Sequence, residues 1–93
     1  MSEWSIYLVR CADGSLYTGI ATDVQRRFGE HESGRKGSKY LRGRSPLTLY
    51  FQHPVGDRSQ ASRAEYFVRK LPRSVKEDVT ALPGRIAKLL EES

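Results

Sequence analysis

A chain of 93 residues with 38% hydrophobic residues can form one small folded domain, expected over residues 1–93, and is too short for a second core. A net charge of +5 favours a polyanionic partner such as nucleic acid, although only weakly, because many small proteins are basic. The single cysteine, Cys11, excludes an internal disulfide and a cage of thiolate ligands. No apolar run is long enough to span a membrane and the first residues do not resemble a secretory signal, so we expect a cytoplasmic protein without a membrane partner.

Two β-rich runs, Trp4 to Arg10 and Leu16 to Ile20, flank an Asp-Gly pair and predict a hairpin. The length of its loop decides whether Tyr7 and Tyr17 share a face, because side chains alternate along a strand. A two-residue turn puts the two rings on opposite faces. A three-residue loop that ends in a left-handed Gly14 puts them on the same face.

The apolar residues favour the three-residue loop, which pairs Val9 with Tyr17 and Tyr7 with Gly19. In that register the opposite face collects a set of large apolar side chains. They are Trp4, Ile6, Leu8, Leu16 and Ile20. The pattern therefore predicts that both tyrosines face one side of the sheet.

A helix is predicted from about Asp23 to Glu32, with Thr22 in a capping-box pattern at its start and Ser33-Gly34 at its end. Four residues recur at the spacing of one helical face. They are Val24, Arg27, Phe28 and His31. Because two of the four are polar, they need partners in the interior.

The following segment, from Gly34 to Pro46, is strongly basic and has no acidic residue. Its cations and one aromatic residue are Arg35, Lys36, Lys39, Tyr40, Arg42 and Arg44. This composition predicts a solvated loop that follows a phosphate backbone. A solvated surface without a specific contact is the alternative.

The rest of the chain predicts a third strand and three helices. The strand runs from Leu47 to His53, and the segment Pro54-Val55-Gly56-Asp57 ends it. The next helix runs from a cap at Ser59 to about Leu71, with Glu65 within its buried arc. A further capping-box pattern begins at Ser74, and Pro83-Gly84 separates it from a last helix, Arg85 to Glu92.

Phosphodiester hydrolysis needs a positioned water, a group that takes its proton and positive charge on the reacting phosphate. Tyr7 and Tyr17 are candidates to orient or deprotonate the water, and the residues leave open which of them does so. Arg27 is a candidate for binding the phosphate, His31 for relaying a proton and Glu65 for holding a divalent cation. A phenol with an ordinary pKa of about 10 needs nearby positive charge to act as a base.

These residues, in this order and spacing, resemble the GIY-YIG nuclease family. The resemblance spans about residues 4–71, with C-terminal helices at 74–92, and also includes the basic segment, which looks like that of the small single-domain members. It implies an α+β fold with a three-stranded antiparallel sheet flanked by helices. It further implies a metal-dependent endonuclease that uses one Mg²⁺ or Mn²⁺ bound by Glu65, and acts on nucleic acid, DNA more than RNA, in repair or processing.

The sequence departs from the family pattern at several positions. Ser5 and Thr18 replace signature residues that do not react, and Ile20 follows Gly19 where some larger relatives carry a lysine. No asparagine occurs in the chain, although some relatives use one. A nucleic-acid-binding module that has kept the nuclease fold without cutting is therefore the alternative, and a protein-interaction adaptor is a third hypothesis.

Overall fold

A computed structural model describes residues 3–34 and 36–92. Its helices and strands follow one another along the chain in the predicted order. They are β1 (Trp4–Arg10), β2 (Leu16–Ala21), α1 (Val24–Ser33), a 3₁₀ turn (Lys39–Leu41), β3 (Thr48–Gly56), α2 (Arg58–Lys70), α3 (Arg73–Glu77) and α4 (Leu82–Glu92). The strands form an antiparallel sheet in the order β2-β1-β3. The predicted α+β fold with a three-stranded antiparallel sheet is confirmed.

The hairpin has the predicted register. Tyr7 pairs with Gly19 and Val9 pairs with Tyr17. Gly14 is left-handed, with φ of 86°. The three-residue loop is confirmed, and both tyrosines project from the same face of the sheet.

The two faces of the sheet support two hydrophobic clusters. Tyr7 and Val9 belong to one cluster, in which Val24 of α1 and Leu41 of the 3₁₀ turn are also buried. The other cluster contains Ile6 and Leu8 of β1 with buried residues of α2 and α4. Those helical residues are Ala64, Val68, Leu82 and Ile86. The central strand β1 is thus covered on both sides, which holds Tyr7 in a fixed frame.

The helix starts differ from the predictions because an aspartate outcompetes the predicted cap. Asp23, and not Thr22, is the N-cap of α1, and its side chain accepts a hydrogen bond from the Arg26 amide at 3.1 Å. Asp57, and not Ser59, is the N-cap of α2, in a capping box with Gln60. Both predicted caps were wrong by one or two residues.

β3 continues through Pro54 to Gly56, so the prediction that the strand stops at His53 and that the segment from Pro54 ends it was wrong. β3 lies at an edge of the sheet, and an edge strand tolerates proline because one side of its backbone needs no partner in the sheet.

The C-terminal helices also start elsewhere than predicted. α3 begins after Pro72 without a side-chain cap, so the capping-box pattern at Ser74 was wrong. α4 begins at Leu82 and contains Pro83 and Gly84 in its first turn. Proline fits the first turn of a helix, where the missing amide hydrogen is not needed, and this explains why Pro83 does not break the segment. Within the part of the chain that the structure describes, no helix is both long and apolar enough to cross a membrane.

Candidate active site

A buried hydrogen bond joins two of the predicted site residues. The hydroxyl oxygen of Tyr7 and Nε2 of His31 lie 2.8 Å apart. Tyr7 is 1% exposed and His31 3% exposed. The stripe on α1 that contains His31 therefore faces the sheet, and the polar partner that His31 requires is Tyr7.

The other ring nitrogen of His31 fixes where the proton resides. Nδ1 accepts a hydrogen bond from the backbone amide of Ser38 at 3.0 Å. Because an amide nitrogen can only donate, Nδ1 carries no proton in this arrangement. Burial first, and the positive charge of Arg27 second, lower the pKa of His31, while Glu30 raises it. The imidazole is thus neutral with its proton on Nε2, and it donates to the oxygen of Tyr7.

Gly19 leaves the space that the Tyr7 ring occupies. A Cβ atom at Gly19 would lie 2.5 Å from the Tyr7 hydroxyl oxygen and 2.6 Å from Cζ. Real side chains do not approach so closely, so only glycine allows the ring to cross β2 at this point. Position 19 therefore needs a glycine because of this close approach, and not because of a positive backbone φ.

Tyr17 lies next to this pair. Its ring centroid is 6.3 Å from that of Tyr7 and 5.4 Å from that of His31, edge-on to the imidazole. Tyr40 of the 3₁₀ turn stacks on Tyr17 at 5.8 Å with an interplanar angle of 27°. Four rings from β1, β2, α1 and the loop therefore form one continuous group.

Arg27 lies one helical turn before His31 and connects α1 to the loop. Its Nη1 donates to Glu30 at 2.9 Å and to the backbone carbonyl of Lys36 at 2.6 Å. The hydrogen bond to Glu30 raises the pKa of Arg27 and lowers that of Glu30. A hydrogen-bond contact with the Tyr7 hydroxyl also raises the pKa of Arg27, so the guanidinium lies against the phenol as well as the loop.

The electrostatic surroundings of Tyr7 include both predicted charged partners. Burial, followed by Tyr17, raises the pKa of Tyr7, and Glu65 adds to the rise. Arg27 opposes these effects. The phenol of Tyr7 is thus influenced by both the positive charge of Arg27 and the carboxylate of Glu65. Because burial has the largest effect on its pKa, Tyr7 is protonated at neutral pH in the absence of substrate.

Glu65 projects from α2 and is half-buried. None of the ion pairs between described residues involves it, so the pairing with Arg63 or Arg69 that is the default for a helical glutamate does not form. Over residues 3–34 and 36–92, no three His, Cys, Asp or Glu side chains cluster as a ready-made metal cage. A lone carboxylate of this kind suits a hard cation such as Mg²⁺, which keeps most of its ligands as water and phosphate oxygen.

The basic segment is more ordered than a solvated loop. Leu41 is buried, and Arg44 donates to Asp13 at 2.7 Å while lying 4.4 Å from the centroid of the Tyr40 ring. Hydrogen bonds from Ser15 first, and Arg44 to a smaller degree, lower the pKa of Asp13. Arg44 is therefore engaged within the protein and is less available for a phosphate contact than the exposed Lys36, Lys39 and Arg42.

The other cations of the segment are more accessible. Lys36, Lys39 and Arg42 are exposed and form no ion pair with a described carboxylate. Arg35 lies outside the described residues. The exposed charges of Lys36, Lys39 and Arg42 are therefore accessible to a phosphate backbone.

Two residues that the sequence analysis did not single out hold the site together. Ser38 supplies the amide that fixes the tautomer of His31. A Cβ atom at Gly37 would lie 2.7 Å from the Cα of His31, so the loop lies directly on α1. The dipeptide Gly37-Ser38 is a weak signal, because glycine and serine are common in any loop.

Comparison with known families matches residues 3–78 to the GIY-YIG catalytic domain. Among relatives, the UPF0213 protein YhbQ of Escherichia coli O157:H7 is 56% identical over 90 residues, which cover 97% of this chain and 89% of that protein. YhbQ of Escherichia coli strain K12 is 54% identical over the same shares. The names of these relatives state no activity.

Two solved structures are similar over most of the chain. The solution NMR structure of the UPF0213 protein BH0048 from Bacillus halodurans is 44% identical, with a TM-score of 0.53, over 88% of this chain and 86% of that one. The solution NMR structure of the protein EF2693 from E. faecalis is 37% identical, with a TM-score of 0.57, over 83% and 81%. With the family match over residues 3–78, these likenesses show that the chain belongs to the GIY-YIG family.

Proposed function

We propose that this protein is a metal-dependent endonuclease that hydrolyses phosphodiester bonds in nucleic acid, DNA more readily than RNA, in cytoplasmic repair or processing. The observation that carries the proposal is the buried Tyr7–His31 hydrogen bond beside Tyr17, with Arg27 one turn away on α1. Buried polar side chains need matched partners, and titratable groups whose pKa values are shifted by burial and by a specific charge cluster at functional sites.

Tyr7 is the proposed general base of the two tyrosines. Its oxygen accepts a hydrogen bond from the neutral His31, and such a donor stabilises the phenolate more than the phenol. His31 already carries its proton on Nε2, so its proposed role is to hold and stabilise Tyr7 rather than to accept a proton from it. Tyr17 then orients the attacking water from the half-buried side of the ring group.

Arg27 is the proposed phosphate ligand. Its Nη1 is fixed by Glu30 and Lys36, so the guanidinium is held in one orientation beside Tyr7, where a phosphate oxygen would meet its positive charge. A fixed, charged donor of this kind stabilises the negative charge that develops on the phosphate in the transition state.

Glu65 is the proposed ligand of one Mg²⁺ or Mn²⁺. A divalent ion would supply positive charge to the reacting phosphate and to the departing oxygen. Such an ion would also lower the pKa of a nearby phenol, which opposes the effect of burial on Tyr7.

The experiment is cleavage of labelled single-stranded, duplex and branched DNA and of RNA with Mg²⁺ or Mn²⁺. Arg27→Ala and Glu65→Gln are compared with Arg26→Ala and Glu91→Gln, which make the same changes at exposed positions. We expect cleavage by the wild type and by both controls, and a loss of at least ~100-fold in each site variant. Cleavage that persists unchanged in Arg27→Ala and Glu65→Gln would point to a contaminant and remove the proposal.

A binding module that cuts nothing is the second candidate, and the raised pKa of the buried Tyr7 favours it. Salt-dependent binding of nucleic acid without cleavage, across both metals and all substrates, is the result expected of such a module.

A further inference from the structure

A cleft of about 350 Å³ opens beside Tyr17. Its walls come from β2, the 3₁₀ turn, the end of α2 and α3. Its aromatic and charged lining consists of Tyr17, Tyr40, Arg69 and Lys76, and Ser38 also lines it. Its size lies at the lower end of the range for small-ligand sites, roughly 300–1,000 Å³, which suits one nucleotide.

The two cations on the α2–α3 side of the cleft are not neutralised. None of the ion pairs between described residues involves Arg69 or Lys76. Nζ of the half-buried Lys76 donates to the backbone carbonyl of Arg69 at 3.3 Å, which brings the two residues together without removing charge. Paired cations in a concave surface attract a phosphate group.

The lining of the cleft also includes the rings of Tyr17 and Tyr40. Tyr40 is 44% exposed, although it stacks on Tyr17 and lies under Arg44. The exposed part of the Tyr40 ring offers an aromatic contact to any of the four bases, because every base has an aromatic face.

The cleft adjoins the candidate active site at two points. Tyr17 belongs both to the cleft and to the ring group with Tyr7 and His31. Arg69 lies four residues after Glu65 on α2, so the two side chains are neighbours on one helix face, about 5–6 Å apart at Cβ. A strand whose scissile phosphate lies near Glu65 therefore brings its next nucleotide to the cleft.

We propose that the cleft binds one unpaired nucleotide adjacent to the scissile phosphate, with its phosphate between Arg69 and Lys76 and its base against Tyr40. The inference deepens, and rests on, the proposed endonuclease function. A base inside a duplex is covered by its partner and its stacked neighbours, so only an unpaired or extruded base reaches a concave site of this size.

The test measures binding without hydrolysis. Fluorescence anisotropy in EDTA gives the affinity for labelled oligo(dT) of eight nucleotides and for a blunt hairpin duplex. The variant Arg69→Ala/Lys76→Ala is compared with Arg85→Ala/Lys88→Ala, which removes the same charge from the exposed side of α4. Circular dichroism checks that both variants are folded.

The variant Arg69→Ala/Lys76→Ala should bind oligo(dT) about tenfold more weakly. The slope of log affinity against log salt concentration should become less steep by about 0.7, as expected when one phosphate contact on a single strand is lost. The α4 control should change by less than about twofold, and duplex binding should change equally little in both variants. Tyr40→Ala should weaken binding of oligo(dT) but not of the duplex.

Equal losses in the two charge variants, or equal losses for single strand and duplex, would overturn the proposal. This binding measurement is separate from the cleavage assay that tests the proposed function. If the wild type binds oligo(dT) through the cleft but cleaves nothing with Mg²⁺ or Mn²⁺, the endonuclease proposal fails and the nucleotide site stands.

Discussion

The hydroxyl oxygen of Tyr7 and Nε2 of His31 lie 2.8 Å apart in the interior, although 24 residues separate them in the chain. This bond joins the central strand β1 to α1, on the face that Tyr17 and Arg27 also approach. The backbone amide of Ser38 determines the direction of this hydrogen bond. It donates to Nδ1 of His31, so the imidazole carries its proton on Nε2, which donates to Tyr7. The proposed chemistry and the stability of this face therefore depend on the same contact.

Tyr7→Phe removes the hydroxyl and leaves a buried N–H of His31 without a partner. We expect a loss of about 1–3 kcal/mol in the free energy of unfolding. Cleavage should fall by at least ~100-fold, because a general base contributes at least that much. Urea denaturation and the cleavage assay measure the two effects on the same preparation.

Tyr50→Phe is the matched control for this change. The Tyr50 hydroxyl donates to the backbone carbonyl of Glu77 at 2.8 Å, away from the candidate site. The control should lose stability in the same way and keep its cleavage activity. If Tyr7→Phe keeps full activity, Tyr7 is not the base.

Gly19→Ala introduces a methyl group where the Tyr7 hydroxyl lies 2.5 Å away. The ring must move, so we expect a loss of about 1–3 kcal/mol in the free energy of unfolding and of most of the cleavage activity. Gly29→Ala is the control, since nothing lies within 4 Å of its Cβ position on α1. Alanine within a helix should stabilise this control by about 0.5–1 kcal/mol. An active, fully stable Gly19→Ala protein would contradict the close packing of Tyr7 on β2.

The hairpin and its register were predictable because they depend on local rules. A two-residue period, an Asp-Gly turn and a clear apolar face leave only one loop length that places Tyr7 opposite Gly19. The helix starts were less predictable because neighbouring residues compete for the same role. Thr22 and Asp23 are both good N-caps, and only the path of the chain into α1 selects the aspartate.

Parts of the site could not be predicted because they depend on contacts distant in sequence. The backbone amide of Ser38 is present in any residue, so no residue type reveals that it binds His31. The run of basic residues from 34 to 46 likewise does not distinguish Arg44 from exposed cations such as Lys39. Arg44 is held by Asp13, which lies in the hairpin turn between β1 and β2. The edge position of β3, which allows Pro54 within the strand, is a property of the whole sheet.

His31 should make stability depend on pH near neutrality. Its pKa in the folded protein is lowered from the ordinary value of 6.5, mainly by burial. Between the two values the unfolded chain binds a proton that the folded protein does not, so stability is fully present above about pH 6.5 and falls as pH drops below it. The urea midpoint should therefore be lower at pH 5.5 than at pH 7.0.

Two controls isolate His31 in this measurement. His31→Gln should flatten the dependence, whereas His53→Gln should retain it. Glu30 has a lowered pKa, so its contribution is lost only below its ordinary value of 4.5, outside the range measured. Equal pH dependence in the wild type and His31→Gln would show that the imidazole is not buried in its neutral form.

Gly37→Ala should move the loop away from α1, because its Cβ would lie 2.7 Å from the Cα of His31. The Ser38 amide then no longer reaches Nδ1, and the tautomer of His31 is no longer fixed. We expect cleavage to fall by about tenfold or more, with ¹⁵N chemical shifts of the imidazole that report a changed tautomer. Gly84→Ala, at a site with open space, should leave both measurements unchanged.

The most direct measurement of whether Glu65 and the tyrosines form one metal-assisted site is a titration with Mn²⁺ followed by ¹H–¹⁵N NMR. Paramagnetic broadening should be centred on the amides of Glu65, Tyr17 and Gly19, and it should disappear in Glu65→Gln. Broadening centred on the amides of Glu91 and Glu92, or a pattern that Glu65→Gln does not change, would contradict a single site.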